Sequence, residues 1–208
     1  MYRYALPLAF FMVVLTFPAL AQNPDTDNDG IPDAVERELG TDPAYSEQLQ
    51  QIATDKTKDQ GDSVGPTNYS PGLDLVAVSL GNVAGNRYLW RVDFLGPFEP
   101  ANSRLILYVD ADADPKTGRR GLGCEYMVLN LQGVPAIRAF SADGKETAEG
   151  LRVAVVGKSV YLCSDFTFKQ VEGKAVGTFR LVHEIAQPFS TMDGIGHTAF
   201  AIPGDSTR

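Results

Sequence analysis

The chain carries two histidines, two cysteines and one tryptophan among 208 residues, and that scarcity excludes several chemistries. No C-x-x-C pair and no Cys/His spacing suits a zinc site. No G-x-S-x-G, H-E-x-x-H, P-loop or G-x-G-x-x-G occurs, so no nucleophile elbow, zinc-protease helix or phosphate cradle is signalled. His183 and His197 stand apart from any catalytic pattern. Carboxylate pairs for glycoside hydrolysis are defined by spatial separation, and no two of the 26 acids single themselves out. The chain reads as non-enzymatic. Positive charge is also short. With a leader containing Arg3 removed, 17 basic residues face 26 acidic ones, a net charge of −9. That balance argues against nucleic acid or an anionic membrane surface as partner. No apolar run after residue 21 is long enough to span a bilayer.

The first 21 residues read as a secretory signal peptide. Arg3 supplies the basic start, Ala5 to Phe17 the apolar stretch, and Ala19-Leu20-Ala21 the cleavage site. No cysteine follows the site, so a lipid anchor is unsupported. The expected mature chain begins at Gln22 and is secreted, to the periplasm or the extracellular space, where calcium is plentiful.

The segment DTDNDGIPDAVE, Asp25 to Glu36, follows the spacing D-x-D-x-D-G-x-x-D-x-x-E of a calcium loop. Asp25, Asp27 and Asp29 fall at loop positions 1, 3 and 5. Gly30 falls at position 6, where the backbone turns sharply. Ile31 offers a carbonyl at position 7, Asp33 falls at position 9, and Glu36 closes the loop at position 12. Five carboxylates in twelve residues, with no Lys or Arg among them, repel one another unless a hard cation sits between them. Cleavage leaves no room for a preceding helix, while Asp33 to Leu39 can form a short exit helix stopped by Gly40. Pro32 has no N–H for the backbone pairing that coupled EF-hands use.

The run DTDNDGIPDAVERELGTDP, Asp25 to Pro43, resembles a thrombospondin type 3 repeat of the kind common in bacterial exported proteins. The resemblance implies calcium as cofactor and adds Asp42, from the closing GTDP, as a ligand. Such repeats are often tandem. Here there is one copy, which weakens a reading as a long calcium-stiffened rod.

Residues 44–70 are polar and read as a linker, with a short helix from Glu47 to Thr54. From Leu73 onward the period changes to two. Tyr88, Trp90, Val92 and Phe94 alternate with Leu89, Arg91, Asp93 and Leu95. Further strands are expected at 73–80, 105–110, 125–131, 136–141, 151–156, 159–164, 178–183 and 198–202. They are separated by turn signals such as Gly85-Asn86, Asp143-Gly144 and Asp193-Gly194. Nine short strands without a helical period predict a mostly β chain. The expected architecture is an antiparallel β-sandwich over residues 71–208, with a short N-terminal calcium loop-helix appendage at 22–43. The core residues follow Leu73, so the sandwich is expected to fold without the repeat.

A second acidic cluster, YVDADADPKTG, sets Asp110 and Asp112 on one side of an extended chain, followed by Asp114. These three with Glu125 form a second candidate calcium site, weighed against a charged hairpin tip. DLVAVSL, YLWRVDF, LILYVDADADPKTG and GCEYMVLNL in that order resemble the sandwich shared by family 9 carbohydrate-binding modules and DOMON-like domains. The resemblance implies a binding module and raises carbohydrate as ligand. Sugar stacking needs exposed aromatics, for which Tyr88, Trp90, Tyr108, Tyr126 and Tyr161 are candidates, although Tyr88 and Trp90 share a face with core-like residues. DOMON likeness also raises haem, for which Met127, His183, Met192 and His197 are available and no pairing is signalled. Cys124 and Cys163 lie in strand-like runs of an exported chain and are expected to form a disulfide between neighbouring strands. The loop it closes would stabilise by roughly 4 kcal/mol. The functional expectation is an exported calcium-binding protein whose sandwich recognises extracellular carbohydrate, or, in the alternative, a cell-surface protein in a structural or adhesive role. A part as accessory to a hydrolase system ranks third.

Overall fold

The computed structural model describes residues 24–57, 71–84, 86–119, 121–140, 146–148, 150–185 and 190–204. The expected signal peptide, the second half of the expected linker and the Asp143-Gly144 turn lie outside the described residues.

Two antiparallel sheets face each other, and the alternation in the sequence decides which side chains meet between them. The first sheet contains β1 (Gln50–Thr54), β2 (Leu75–Ala84), β3 (Arg87–Phe94), β8 (Leu151–Val156) and β9 (Ser159–Asp165), in the order β1-β2-β3-β9-β8. The second contains β4 (Ser103–Asp110), β5 (Tyr126–Leu131), β6 (Val134–Phe140) and β7 (Glu146–Ala148), joined through β4 to β11 (Lys174–Ile185). Strand β12 (Ser190–Pro203) pairs along the free side of β11, and the short β10 (Lys169–Val171) pairs with its beginning. The core fills with the inward set of both sheets. Tyr88, Trp90, Val92 and Phe94 of β3 meet Leu105, Leu107 and Val109 of β4 and Phe179 and Leu181 of β11.

The nine expected strands are present, several of them longer than their patterns suggest, and the short β7 and β10 are additional. The segment Leu73–Leu80 begins as a one-turn 3-10 helix at Pro71–Leu73, and the strand proper starts at Leu75. Asp193-Gly194, a turn signal, lies inside β12, because the Asp193 carboxylate accepts the Leu75 N–H at 2.7 Å and the Gly194 N–H at 2.8 Å. A side chain that satisfies two backbone donors replaces the turn it advertises.

Two expectations for the N-terminal third change. Of the residues expected to form a helix from Glu47 to Thr54, Gln50–Thr54 form the edge strand β1, with Gln50 opposite Leu80 and Thr54 opposite Ala77. Tertiary pairing overrides weak helical propensity there. A Cβ built on Gly81 would lie 2.9 Å from Leu49 and 3.0 Å from the Gln48 carbonyl, so that glycine admits the lead-in of β1. The repeat also packs on the sandwich. Its helix α1 (Asp33–Leu39) turns Val35 and Leu39 inward with Ile31 before them, a spacing of four that keeps all three on one side. They cover Leu89, Ala154, Tyr161 and Cys163 on the outer face of the first sheet. This cover explains why β3 buries Leu89 as well as the opposite row.

Candidate functional site

The calcium loop is built by its own side chains before any ion is considered. Asn28 and Gly30 take positive φ, 61° and 89°, and reverse the chain twice within three residues. Glycine adopts such angles without a Cβ penalty. Asp25 accepts the Gly30 N–H at 3.0 Å, Asp27 the Asp29 N–H at 3.2 Å, and Asp29 the Ile31 N–H at 2.7 Å. The loop is then anchored by Ile31, which is fully buried, and by α1. The helix ends at Gly40, where φ is 70° and the Thr41 N–H returns to the Glu36 carbonyl at 2.9 Å. Arg87 reaches across from β3 to donate to the Gly40 carbonyl at 3.0 Å.

Five carboxylates converge, and they are not quite the expected set. Asp25, Asp27 and Asp29 bring oxygens within 4.8 Å of one another, and so do Asp27, Glu36 and Glu47. Glu36 is fully buried and Glu47 is 3% exposed. One oxygen each of Asp25, Asp27 and Glu47, and both of Glu36, are buried without a hydrogen-bond partner. Buried carboxylate oxygens in that condition are costly unless something positive meets them. The donor set is oxygen only, which suits a hard divalent cation such as calcium. Asp25, Asp27, Asp29, Glu36 and Glu47 are the residues that would hold it.

Asp33 and Asp42 stand apart from this convergence. Asp33 accepts the Thr26 N–H at 2.8 Å, the Thr26 hydroxyl at 2.9 Å and the Arg37 guanidinium at 3.1 Å. Those bonds, the backbone N–H first, hold its carboxyl below the usual carboxylate range. It staples the loop's start to the helix. Asp42 is exposed and accepts the Ala44 N–H at 3.1 Å, closing the turn after the helix. Glu47 escapes the sequence pattern because it lies eleven positions beyond Glu36, in a stretch with no motif.

The electrostatics of the loop set protons against calcium. Burial, then the charges of Asp27, Asp29, Asp33 and Asp25, pushes Glu36 up to about 7. Burial, then a hydrogen bond shared with Asp29 and the charges of Asp29 and Glu36, pushes Glu47 up to about 8. A carboxyl raised in the folded state gives stability that is complete below its unfolded value, near 4.5, and lost as pH climbs through its folded value. Between pH 5 and 8 the calcium-free protein therefore loses this contribution, while calcium replaces the protons. The rise in melting temperature given by saturating calcium, measured against EDTA, should grow steadily over that window. A rise of equal size at pH 5 and pH 8 would contradict this account.

The second acidic cluster differs in kind. Asp110, Asp112 and Glu125 approach within 4.8 Å, but their oxygens are engaged. Glu125 accepts the Ala111 N–H at 2.7 Å, and the Thr117 hydroxyl lies 2.9 Å from Glu125 and 3.0 Å from Asp112. Asp110 and Asp112 both receive the Asp114 N–H, at 3.2 and 2.9 Å. Asp114 accepts the Lys116 N–H at 3.0 Å and is outside the convergent group. Among the described residues, none of these oxygens is buried without a partner. The turn is held by these hydrogen bonds, and its three carboxylates remain close enough to share a metal ion.

The aromatic candidates separate cleanly. Trp90, Tyr88 and Tyr161 are buried, the first two between the sheets and Tyr161 beneath α1. Tyr126 packs edge-on to Phe166 at 4.9 Å, and its hydroxyl accepts the Thr167 N–H at 2.8 Å. Tyr108 lines an open groove, of about 230 Å³, on the outer face of the second sheet, beside Asp110, Leu122, Thr178, Arg180 and His197. Among the described side chains, the haem candidates do not meet. His183 is fully buried, with Nδ1 2.9 Å from the Leu73 carbonyl and Nε2 3.1 Å from the Ser103 hydroxyl. Met127 is contacted by Arg119, His197 is exposed at the groove, and the Met192 side chain lies outside the described residues.

The expected disulfide is not formed: Cys124 and Cys163 are both free and buried. Cys163 points from β9 of the first sheet into the cluster under α1, while Cys124 precedes β5 of the second sheet, behind the acidic turn. The two strands are not neighbours, so the strand-like runs that suggested a bridge place the thiols in different layers. Burial pushes both thiols up to about 11, leaving them unreactive.

Residues 25–44 match the bacterial TSP3 repeat family. No curated protein matches the chain. Among solved structures, a chain from work on the pH-induced modulation of Streptococcus parasanguinis adhesion by Fap1 fimbriae aligns with 79% of this chain and 92% of its own. Its identity is 10% and its TM-score 0.28, and likeness at that level carries no argument. No described helix is long and apolar enough to cross a membrane.

Proposed function

We propose that this protein is an exported, non-catalytic calcium-binding protein. A single calcium repeat is fastened to the face of a β-sandwich, and the sandwich recognises an extracellular ligand. The observation that carries the calcium reading is the meeting of buried, unpartnered oxygens from Asp25, Asp27, Glu36 and Glu47 in a segment that matches a calcium-repeat family. The ion would be structural: it neutralises the loop and holds α1, and with it the apolar cover of the first sheet, in place. An unpaired loop in an extracellular setting calls for a dissociation constant on the order of 10⁻⁴ to 10⁻³ M. Calorimetry on the mature chain checks this. Asp27→Ala should weaken binding at least tenfold, and absence of calcium heat at millimolar concentration in the wild type would overturn the reading.

The ligand surface is the groove beside Tyr108. One half-buried aromatic with Thr178, Arg180, Asp110 and His197 around it offers a stacking face and hydrogen-bonding groups, the combination a sugar ring uses. This supports the carbohydrate-binding, DOMON-like reading of the sandwich. A protein partner is the second reading, favoured by Leu122, which stands 40% exposed at the same groove. Binding to a glycan array with and without calcium separates the two.

A further inference from the structure

The family match ends at residue 44, yet the loop's buried carboxylates include one from beyond it. We propose that Glu47 is a ligand of the same calcium ion, and that through it the ion fastens the leading end of strand β1 to the sandwich; this rests on the calcium reading above. Three observations support it. The Glu47 carboxylate stands within 4.8 Å of those of Asp27 and Glu36. It is 3% exposed, and its Oε2 is buried with no hydrogen-bond partner, beside a Glu36 whose two oxygens are in the same state. The backbone of Glu47 is already held by the loop, since its N–H donates to Asp29 Oδ2 at 2.8 Å.

The position of Glu47 gives the contact its consequence. It lies three residues before Gln50, where β1 begins, and the Leu49 N–H returns to the Glu47 carbonyl at 2.8 Å. Gln48 and Leu49 then pass over Gly81 of β2. Strand β1 is an edge strand of five residues, paired on one side only. An ion bridging Asp27, Glu36 and Glu47 joins the loop, the helix and the approach to that edge at one point. With the ion removed, the three carboxylates lose their common partner, and the approach to β1 is no longer tied to the loop and the helix. Calcium occupancy thus governs whether the outer edge of β2 is covered.

The test uses the full mature chain and the variant Glu47→Gln, with calcium as the probe. Calorimetry should show the variant binding calcium at least tenfold more weakly. Hydrogen exchange should show the amides of Gln50–Thr54 slowed at least tenfold by calcium in the wild type and little changed in the variant. The amide is close in shape to the protonated carboxyl, so the variant in EDTA should melt no lower than the wild type. If it does melt lower, Glu47→Asp, which keeps the charge on a shorter stem, carries the decision and should also bind more weakly. Wild-type calcium affinity in both variants would overturn the ligand assignment. Weakened affinity with β1 protection still gained would overturn the coupling to the sheet. Failure of the wild type itself to bind calcium would instead sink the calcium reading.

Discussion

Trp90→Ala should destabilise the protein by about 3–5 kcal/mol, the largest effect expected of any single substitution at an aromatic candidate. The indole is fully buried, and rings of Phe179, Phe200 and Phe166 surround it edge-on at centroid distances of 5.5, 5.8 and 6.3 Å. Alanine would leave a cavity walled by stiff rings from β11, β12 and the segment after β9, which cannot close together without breaking strand registers on both sheets. The indole N–H has no acceptor among the described residues, so Trp90→Phe, which keeps a ring and discards the unpaired donor, should cost much less. Urea unfolding followed by far-UV circular dichroism is the appropriate measurement, because Trp90 is the single tryptophan and its fluorescence disappears with it. Tyr108→Ala supplies the contrast: a small change in stability and loss of any glycan-array signal. A Trp90→Ala protein within 1 kcal/mol of wild type would place the indole outside the core.

The division between Trp90 and Tyr108 shows what the sequence discloses. Tyr88 and Trp90 share a face with Val92 and Phe94, a period of two that points toward the core while leaving a stacking role open, and the structure buries both. Tyr161 sits in an equally apolar strand, but its burial depends on a helix contributed from more than a hundred residues earlier. The calcium loop is legible because its ligands are spaced by the geometry of one turn. Glu47 is not, because its approach depends on β1 docking on β2, a pairing with no local signature in a run of Gln, Leu and Ile. The same docking explains why an apparent linker belongs to the first sheet. The cysteines fail for a related reason: strand runs can be recognised one at a time, while the layer each joins depends on strand order, and β5 and β9 fall in opposite sheets. Asp110, Asp112 and Glu125 converge as their sequence led one to expect, although Thr117 and the Ala111 and Asp114 amides already bond to their oxygens.

Acid should weaken the fold through His183. The ring is fully buried against Phe94 and Phe98, at centroid distances of 5.1 and 6.0 Å. Its Nδ1–H donates to the Leu73 carbonyl, which leaves Nε2 to accept from the Ser103 hydroxyl, so both nitrogens are satisfied by the neutral imidazole. Burial, only partly opposed by the Leu73 hydrogen bond, holds the group down at about 4. A histidine lowered in the folded state contributes stability that is intact above its unfolded value of about 6.5 and lost as pH falls toward 4. The full loss is about 3 kcal/mol at one pKa unit per 1.36 kcal/mol. Glu36 and Glu47 change in the opposite direction over part of this range, so the wild type alone does not isolate the effect. His183→Asn keeps a side-chain N–H for the Leu73 carbonyl and removes the titration. Its unfolding free energy in EDTA, subtracted from that of the wild type at each pH, should reveal an acid loss confined to pH 6.5–4. The His183 ring resonances should also remain those of the neutral form at pH 5. Parallel wild-type and His183→Asn curves, or a ring already protonated at pH 5.5, would show that this histidine is not sealed between the sheets.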